Sequence, residues 1–363
     1  MKRVFGPAGH GAFYWERFCK RDFGKVVNIV YDCGTLSKGC DLEKLIKKTF
    51  QKDEVIHAVF ISHFDQDHIN KLPILLEYCQ VKKIYFPIVT PENQKILTMD
   101  LILKNADDFT KAFLKNPYDA VKKHIKGEMP QLIGVYAGEN QQNDIAQEIQ
   151  NPNRTDINSG ENVAPAILDG ENNMSWLFIP YNFESKERYK IIMKELKDKV
   201  KEIKTSDDIA KVWQEGDNEK RKIIKKAFGK GETANTNSMT LFSGEITNKF
   251  KQRKSNWNSP ETASGCLYTG DYNAKKKWEE LEKKYKEYWE DIGCVQIPHH
   301  GSKYNFNENF LRMPAKYYVI SEGTKGKQEY PAKEVQESFR KEKETLYVAD
   351  EYKKQLFWVT RKN

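Results

Sequence analysis

The distribution of apolar and polar positions predicts two strand-rich segments that are separated by a long helical one. Short apolar runs, which are typical of buried strands, occur near both ends of the chain. The predicted strands cover residues 2–5, 26–31, 55–61, 81–89, 238–243, 266–269, 294–297, 317–321, 346–349 and 356–360. From about residue 92 to about residue 235 the chain is mostly charged and helical, with one clear strand-like stretch, Ser175 to Pro180.

Apolar residues in the helical segment recur with the period of an α-helix. Ile192, Leu196, Val200 and Ile203 form one such stripe, and Ser206 is predicted to cap the next helix. We interpret these stripes as packing faces. We therefore expect residues 1–91 and 236–363 to form one domain, and residues 92–235 to be a charged, mostly helical insertion that caps a site or binds a partner.

Composition places the chain among globular proteins. With 363 residues and 39% hydrophobic content, it is long enough for one large core plus an insertion. The 60 basic and 52 acidic residues leave a net charge of +8. This charge permits a polyanionic substrate or partner, although charge alone does not identify one.

Cysteine usage and hydropathy indicate the cellular compartment. The six cysteines are scattered, with no C-x-x-C pair, which argues against a zinc ribbon and a disulfide framework and favours a reducing compartment. The N-terminus has no apolar signal core, and no apolar run has the length needed to span a membrane. We expect a cytoplasmic protein without a membrane segment.

Candidate chemistry is concentrated in FISHFDQDHINKL, residues 60–72. His63, Asp65, Asp67 and His68 follow a predicted buried strand and precede an apolar-periodic helix. Such turns lie at the carboxyl edge of a sheet, where ligands bind in α/β folds. The alternative is a polar loop in which Asp65 or Asp67 caps the helix and the histidines are incidental.

Other strand ends carry matching residues. Asp271 follows the strand 266–269, and His299 and His300 follow the strand 294–297. A carboxylate can bridge two metal ions, and imidazoles can complete their coordination shells. Asp32, at the end of the strand 26–31, could hydrogen-bond this metal loop or could be an ordinary turn residue. His10 lies in the Gly-rich turn GPAGHG and could approach a site, although a surface loop residue is the favoured interpretation.

The motifs D-C-G, H-x-D-x-D-H, T-G-D and P-H-H-G-S occur in that order. This order resembles the metallo-β-lactamase superfamily, specifically the branch that includes the hydrolase domain of ComEC-type DNA-uptake proteins. The resemblance covers residues 1–91 and 236–363 and not the helical middle. It implies an α/β fold, a four-layer αββα sandwich with a metal site at one edge of its two sheets.

The resemblance also implies a dinuclear metal centre. His63 and Asp65 would hold the first metal, while Asp67, His68 and His300 would hold the second. Asp271 would bridge the two ions, and His299 would donate a hydrogen bond to the substrate, although the roles of His299 and His300 could be reversed. Asp32 would orient the metal loop, and Asn237 and Ser238 would line the site.

The sequence departs from the superfamily pattern at several positions. H-x-D-x-D-H replaces the commoner H-x-H-x-D-H, and the lone histidine ligand in the middle of the fold has no counterpart. The predicted first site is therefore rich in oxygen, which suits Mn²⁺ or Mg²⁺ better than Zn²⁺. We expect two divalent ions, with Mn²⁺ favoured and Zn²⁺ possible at the second site. Tyr330-Pro331 stands where ComEC-type domains often carry His-Pro.

The predicted reaction is hydrolysis of a phosphodiester, most simply by a nuclease. Two divalent ions can generate a hydroxide from a shared water and hold a phosphoryl group in line, so no protein nucleophile is required. Asp67 would accept the proton of the water or orient it. Ser302 and Lys303, which follow the two histidines, could neutralise a phosphate, although Lys303 could equally be an exposed lysine.

A basic stretch between two predicted strands is a second candidate for substrate binding. Lys249, Lys251 and Arg253 lie among the aromatic residues Phe250 and Trp257. Such a loop can grip a phosphate backbone and stack on bases. The alternative is a solvated hairpin.

Two further functions fit the same sequence. One is a hydrolase of a small phosphodiester such as a cyclic nucleotide, which a deep lid formed by the insertion would favour. The other is a regulatory metal-binding module of a bacterial defence or stress system, without turnover of its own, in which residues 92–235 recruit a protein partner.

Overall fold

The computed structural model describes residues 1–19, 26–138, 154–164, 176–184, 186–229, 238–246, 250–254, 259–324 and 330–361, with the backbone alone at residues 250 and 361. Its strands are β1 (Lys2–Phe5), β2 (Gly11–Cys19), β3 (Val26–Thr35), β4 (Val55–Ile56), β5 (Ala58–Phe60), β6 (Gln80–Val81), β7 (Lys83–Pro87), β8 (Gln131–Tyr136), β9 (Arg154–Asn158), β10 (Trp176–Asn182), β11 (Met239–Glu245), β12 (Phe250–Lys254), β13 (Thr262–Ala263), β14 (Gly265–Tyr268), β15 (Ile292–Gln296), β16 (Tyr317–Ser321), β17 (Leu346–Ala349) and β18 (Gln355–Arg361).

The helices lie mainly between these strands. They are α1 (Leu42–Thr49), α2 (Gln66–Ile69), α3 (Leu72–Tyr78), α4 (Pro91–Leu103), α5 (Asp108–Lys115), α6 (Pro117–Lys122), α7 (Glu187–Lys199), α8 (Ser206–Glu215), α9 (Asn218–Phe228), α10 (Trp278–Tyr285) and α11 (Lys333–Lys341). Single 3₁₀ turns cover Lys286–Asp291, His299–Gly301 and Glu308–Arg312.

The strands form two large sheets. Within the described ranges, the larger sheet has ten strands in the order β13-β12-β18-β1-β2-β3-β5-β7-β8-β9, and the smaller has six in the order β10-β11-β14-β15-β16-β17. The neighbouring strands β3, β5, β7, β8 and β9 are parallel, as are β14, β15, β16 and β17. Both sheets therefore present loops at the carboxyl ends of parallel strands.

Apolar side chains pack the two sheets and the helices outside them into four layers. One core cluster fills the space between the sheets, for example with Phe60 from the larger sheet and Tyr268 from the smaller. A second cluster packs helices such as α1 and α3 against the outer face of the larger sheet. A third packs α10 and α11 against the outer face of the smaller sheet. The predicted αββα sandwich is confirmed.

The region 92–235 contributes both to the sandwich and to a separate helical unit. Its strands β8, β9 and β10 belong to the two sheets, whereas the sequence pattern indicated one strand in this region. Helices α7, α8 and α9 pack with α4 around their own apolar cluster. Thr205, one residue before the predicted cap Ser206, caps α8 in a capping box with Asp208.

None of the helices in the described part of the chain combines the length and the apolar composition needed to cross a lipid bilayer.

Candidate metal centre

The metal loop, which is the segment from His63 to His68, begins after β5 and runs into α2. It lies at the edge of the sandwich where parallel strands end. His63 lies three residues after the end of β5, while Asp67 and His68 lie in α2, and all three side chains are buried. The backbone of β3 passes very close to this loop. A Cβ atom at Gly34 would lie 2.5 Å from the carbonyl of Asp67 and 2.6 Å from the amide nitrogen of His68. Glycine at position 34 therefore permits the approach that places the loop here.

His63, His68 and Asp271 form one group of possible metal ligands. Nε2 of His63 lies 3.5 Å from Oδ2 of Asp271, and Nε2 of His68 lies 3.5 Å from Oδ1 of the same carboxylate. All three side chains are buried. The two Nε2 atoms and Oδ1 of Asp271 are buried without a hydrogen-bond partner in the described part of the chain. Because buried polar atoms are normally paired, these atoms suit a bound cation.

His10, Asp67 and His300 form a second group beside the first. Oδ2 of Asp67 lies 3.3 Å from Nε2 of His300 and 3.8 Å from Nε2 of His10. The rings of His10 and His300 are stacked, with centroids 4.3 Å apart. The two groups are adjacent, since Nε2 of His68 is also 3.8 Å from Oδ2 of Asp67. Together they suit a dinuclear metal site.

Hydrogen bonds at the opposite nitrogen of each ring fix the direction of the imidazoles. Nδ1 of His68 is 2.7 Å from a carboxylate oxygen of Asp32, and Nδ1 of His300 is 2.7 Å from the carbonyl of Ser321. Both rings therefore donate from Nδ1 and present Nε2 to the centre. Asp32 also accepts hydrogen bonds from the amide and hydroxyl of Ser62, at 2.7 Å each. Its predicted contact with the metal loop is present.

The electrostatics of the centre favour a positive charge. Burial alone would lower the pKa of His68, but the carboxylates of Asp32, Asp67 and Asp271 outweigh burial and raise that pKa well above its usual value. Burial would likewise raise the pKa of Asp271, but nearby imidazoles, that of His299 first, hold it well below its usual range. The carboxylates are ionised and close together, so they also attract a divalent cation.

Backbone strain is concentrated around the centre. Asp32, His299 and His300 have positive φ angles of 57°, 49° and 54°, which are uncommon for residues other than glycine. A hydrogen bond of 3.0 Å from the amide of His299 to the carbonyl of Gly270 ties the double-histidine turn to the loop that carries Asp271. Strain of this kind persists where the surrounding structure enforces it, and it is common at functional sites.

Asp65 lies in the metal loop but belongs to neither group. Its Oδ2 atom is 3.0 Å from Nζ of Lys104, which follows α4. The same ammonium is 3.0 Å from Oδ2 of Asp100, and Arg188 of α7 binds that carboxylate at 3.1 Å. Burial would raise the pKa of Asp65, but the charge of Lys104 and that of His63 lower it. An alternating chain of charges thus joins the metal loop to the helical unit.

We expect the Lys104→Met substitution to lower the free energy of unfolding by about 1–2 kcal/mol. It removes the cation that two largely buried carboxylates share, whereas Lys104 itself is half exposed, which limits the loss. Urea denaturation of the metal-free protein measures the change. Lys111→Met is the matched control, because its partner Asp108 is fully exposed. Equal stability of the two variants would contradict the role of Lys104.

Two further predicted site residues, His299 and Ser238, lie beside Asp271. Nε2 of His299 lies 3.7 Å from Oδ2 of Asp271, and this ring is more exposed than that of His300. Ser238 accepts a hydrogen bond of 3.0 Å from the amide of Asp271 and lies beside His63. Asn237 lies outside the described residues. The structure thus brings His299 and Ser238 to the centre.

The predicted substrate-binding residues lie at several separate places. Ser302 is buried, and the ammonium of Lys303 is 3.0 Å from the carboxylate of Glu334. Lys251 and Arg253 lie on β12, which is separated from β3 by β18, β1 and β2. Lys249 lies outside the described residues. The centre and the described basic residues of this stretch are therefore on different parts of the larger sheet.

His10 lies beside the centre, which was the less favoured of its two sequence interpretations. It was expected on a surface loop, but it belongs to the second group of possible ligands. Its amide donates a hydrogen bond of 2.8 Å to the hydroxyl oxygen of Ser37, and its carbonyl accepts a hydrogen bond of 2.7 Å from the amide of Leu36. The ring of Tyr330 flanks it, with centroids 6.0 Å apart. The turn GPAGHG itself carries no local signal for these contacts, which come from distant parts of the chain.

His10 also changes the predicted donor set. The two groups contain four imidazoles, from His10, His63, His68 and His300, and two carboxylates. This set has more nitrogen than the sequence pattern indicated, because Asp65 pairs with Lys104 instead. Imidazole is a good ligand for Zn²⁺ as well as for other transition metals. The donor chemistry therefore fits a pair of divalent ions and does not by itself favour Mn²⁺ over Zn²⁺.

Comparisons with known proteins leave the family open. No family model matches the sequence, and no curated protein matches it either. Among solved structures, the chain is similar to MEM-A1, a subclass B3 metallo-β-lactamase isolated from a soil metagenome library. The identity is 10%, the match covers 82% of this chain and 81% of the other, and the TM-score is 0.28. At this score the likeness adds nothing to what the layers and the centre show by themselves.

Proposed function

We propose that this chain is a metal-dependent phosphodiesterase that cleaves nucleic acid. The observation that carries the proposal is the pair of adjacent His/Asp groups, with buried ligand atoms that lack a partner in the described part of the chain. The location of these groups at the carboxyl ends of parallel strands supports it, because ligands bind at this edge in α/β folds. The residue types favour hydrolysis assisted by metal ions over chemistry with a protein nucleophile.

The ligand assignment follows the two groups. His63, His68 and Asp271 would hold one ion, and His10, Asp67 and His300 the other. When bound, two divalent ions supply an activated water and neutralise the charge of a phosphoryl group. We propose Mn²⁺ or Zn²⁺, with Mg²⁺ as a further candidate.

Asp67 and His299 are the proposed catalytic residues. The carboxylate of Asp67 faces the centre, with Nε2 of His300 at 3.3 Å and Nε2 of His10 at 3.8 Å, so it can accept a hydrogen bond from an attacking water and orient it. Nδ1 of His299 is 3.0 Å from Oδ1 of Asn305 and donates a hydrogen bond to that amide oxygen. His299 can then donate from Nε2 to a phosphate oxygen when both of its nitrogens are protonated.

Two features support a polyanionic substrate. The chain carries a net charge of +8, and its motifs resemble those of a hydrolase domain that acts on DNA. A small phosphodiester would use the same centre, so the substrate class has to be measured directly.

The experiment compares substrates and metals. Purified protein loaded with Mn²⁺, Zn²⁺ or Mg²⁺ is incubated with bis(p-nitrophenyl) phosphate and with labelled single- and double-stranded DNA and RNA. We expect metal-dependent cleavage that a chelator stops and that the Asp67→Ala variant lacks, because Asp67 belongs to the centre. Circular dichroism shows whether the variant is folded.

The outcomes separate the candidate functions. Cleavage of bis(p-nitrophenyl) phosphate and a cyclic nucleotide, without cleavage of any nucleic acid, would replace the nuclease with a small-phosphodiester hydrolase. Folded, metal-loaded protein that cleaves nothing with any of the metals would refute independent phosphodiesterase activity and favour a regulatory module.

A further inference from the structure

The helical unit carries a basic cavity that belongs neither to the metal centre nor to the sequence stretch predicted to bind substrate. The cavity has a volume of about 610 Å³ and lies on the α8–α9 pair. Three of its lining side chains are cationic, one is aromatic and two are amides, and the described lining includes no carboxylate. These residues are Trp213, Gln214, Asn218, Arg221, Lys222 and Lys225.

The fold of the helix pair positions these side chains. Ile209 and Val212 of α8 and Ile224 of α9 pack into the apolar cluster of the helical unit, which turns the opposite faces outward. Arg221 donates from Nε to the carbonyl of Trp213, at 2.9 Å, and from Nη2 to that of Gln214, at 2.8 Å. These bonds satisfy two carbonyls at the end of α8 and hold the guanidinium in place.

The lysines of the cavity differ from nearby lysines in whether a carboxylate pairs with them. Nζ of Lys220 is bound to Glu202, and Nζ of Lys95 lies 2.7 Å from Asp207. No such carboxylate partner is seen for Lys222 or Lys225 within the described ranges of the chain. Nζ of Lys225 instead lies 5.5 Å from the centre of the Trp213 ring, a cation–π distance. The α9 sequence NEKRKIIKKAF adds to this potential with five basic residues and one acidic residue.

We infer that this cavity binds the backbone of a single-stranded nucleic acid while Trp213 stacks on an exposed base. Clustered cations bind phosphates, and an aromatic ring binds the face of any base, which is the combination found in grooves for single strands. The amides of Gln214 and Asn218 can bond to base edges or sugar hydroxyls. An acidic peptide would use the cations but would have no use for the ring. The inference rests on the proposed function, since it names the substrate as a single strand.

A continuous set of contacts connects this cavity with the centre. Helix α8 packs on α4 through the apolar cluster and through the Lys95–Asp207 ion pair. At the end of α4, Lys104 binds Asp65 in the metal loop. A strand held at α8–α9 is therefore held by the unit that also contacts the metal loop.

Binding of a fluorescent single-stranded oligonucleotide of about 15 nucleotides tests the inference by anisotropy, without any need for turnover. We expect Trp213→Ala to weaken binding roughly tenfold and Trp213→Phe to retain most of it, because phenylalanine can still stack. The double variant Lys222→Ala/Lys225→Ala should lower the slope of log affinity against log salt concentration by about 1–2. The double variant Lys194→Ala/Lys197→Ala is the control, since it removes the same charge from exposed positions of α7.

The outcomes are independent of catalysis at the centre. Hydrolysis of bis(p-nitrophenyl) phosphate by all of these variants at the rate of the unaltered protein is expected, because this substrate is too small to need the cavity. Loss of oligonucleotide binding together with normal hydrolysis would support the cavity.

Equal weakening by both double variants would reduce the effect to net charge and overturn the inference. Binding of poly-glutamate at least as tight as that of the oligonucleotide would overturn it in favour of an acidic protein partner. If unaltered protein hydrolyses nothing yet binds the oligonucleotide through Trp213, the proposed function fails and the cavity remains.

Discussion

Replacement of Asp271 by alanine is expected to abolish the proposed hydrolysis and the binding of the ion that we propose for His63 and His68. Asp271 supplies the one carboxylate of that group, and its two oxygens each face an imidazole nitrogen at 3.5 Å. Two imidazoles without an anion are a poor site for a divalent cation, so we expect affinity to fall by more than about 100-fold. Metal content after dialysis and calorimetric titration with Mn²⁺ and Zn²⁺ measure the loss.

The control for this variant is a second buried aspartate outside the centre. Asp291 is buried immediately before β15, and burial raises its pKa, so Asp291→Ala tests the general cost of removing such a carboxyl group. Circular dichroism should show that both variants are folded. A full complement of two tightly bound ions in Asp271→Ala would exclude the proposed role of this carboxylate.

The framework could be predicted because its signals are local. Short apolar runs bounded by glycine, proline or charge predicted most strands of both sheets, and β11, β14, β15 and β16 lie where the pattern placed them. β9 has the sequence RTDIN, which lacks an apolar run. It is a strand because it pairs with β8 from Leu132 to Tyr136, and sequence periodicity does not report such pairing.

The metal loop shows, for single residues, that contacts with distant elements cannot be predicted from local sequence. The spacing of His63, Asp67 and His68 predicted a cluster, and those residues lie in it. The same spacing also suggested Asp65 as a ligand, but its carboxylate binds Lys104, which is 39 residues away. A motif reports which side chains can reach a site, whereas competing partners from other elements decide which of them do.

The surface-loop interpretation of His10 was favoured because its turn is short and its partners are distant. The turn contacts Ser37 and Leu36 on one side, and its imidazole stacks on His300 from the other end of the chain. Nothing within GPAGHG indicates these contacts. The position of His10 follows from the antiparallel pairing of β2 with β3, in which Gly11 lies opposite Thr35.

Because His10 lies beside His300, the second large expected effect is weaker metal binding by the His10→Ala variant. Burial and the neighbouring His300 lower the pKa of His10 to about 4, so its imidazole is neutral near pH 7 and has a free lone pair to offer. Its removal leaves the second group with Asp67 and His300, and we expect affinity for the more weakly held ion to fall by at least about tenfold.

Calorimetry with Mn²⁺ and Zn²⁺ resolves the two binding events in the unaltered protein and in His10→Ala. His124→Ala is the matched control, because His124 is a histidine outside both groups whose Nδ1 lies 2.7 Å from Glu77. Loss of one binding event in His10→Ala alone would establish that the N-terminal turn completes the centre. Two unchanged binding events would mean that His10 only packs on His300, and the second ion would then depend on the metal loop and the double histidine.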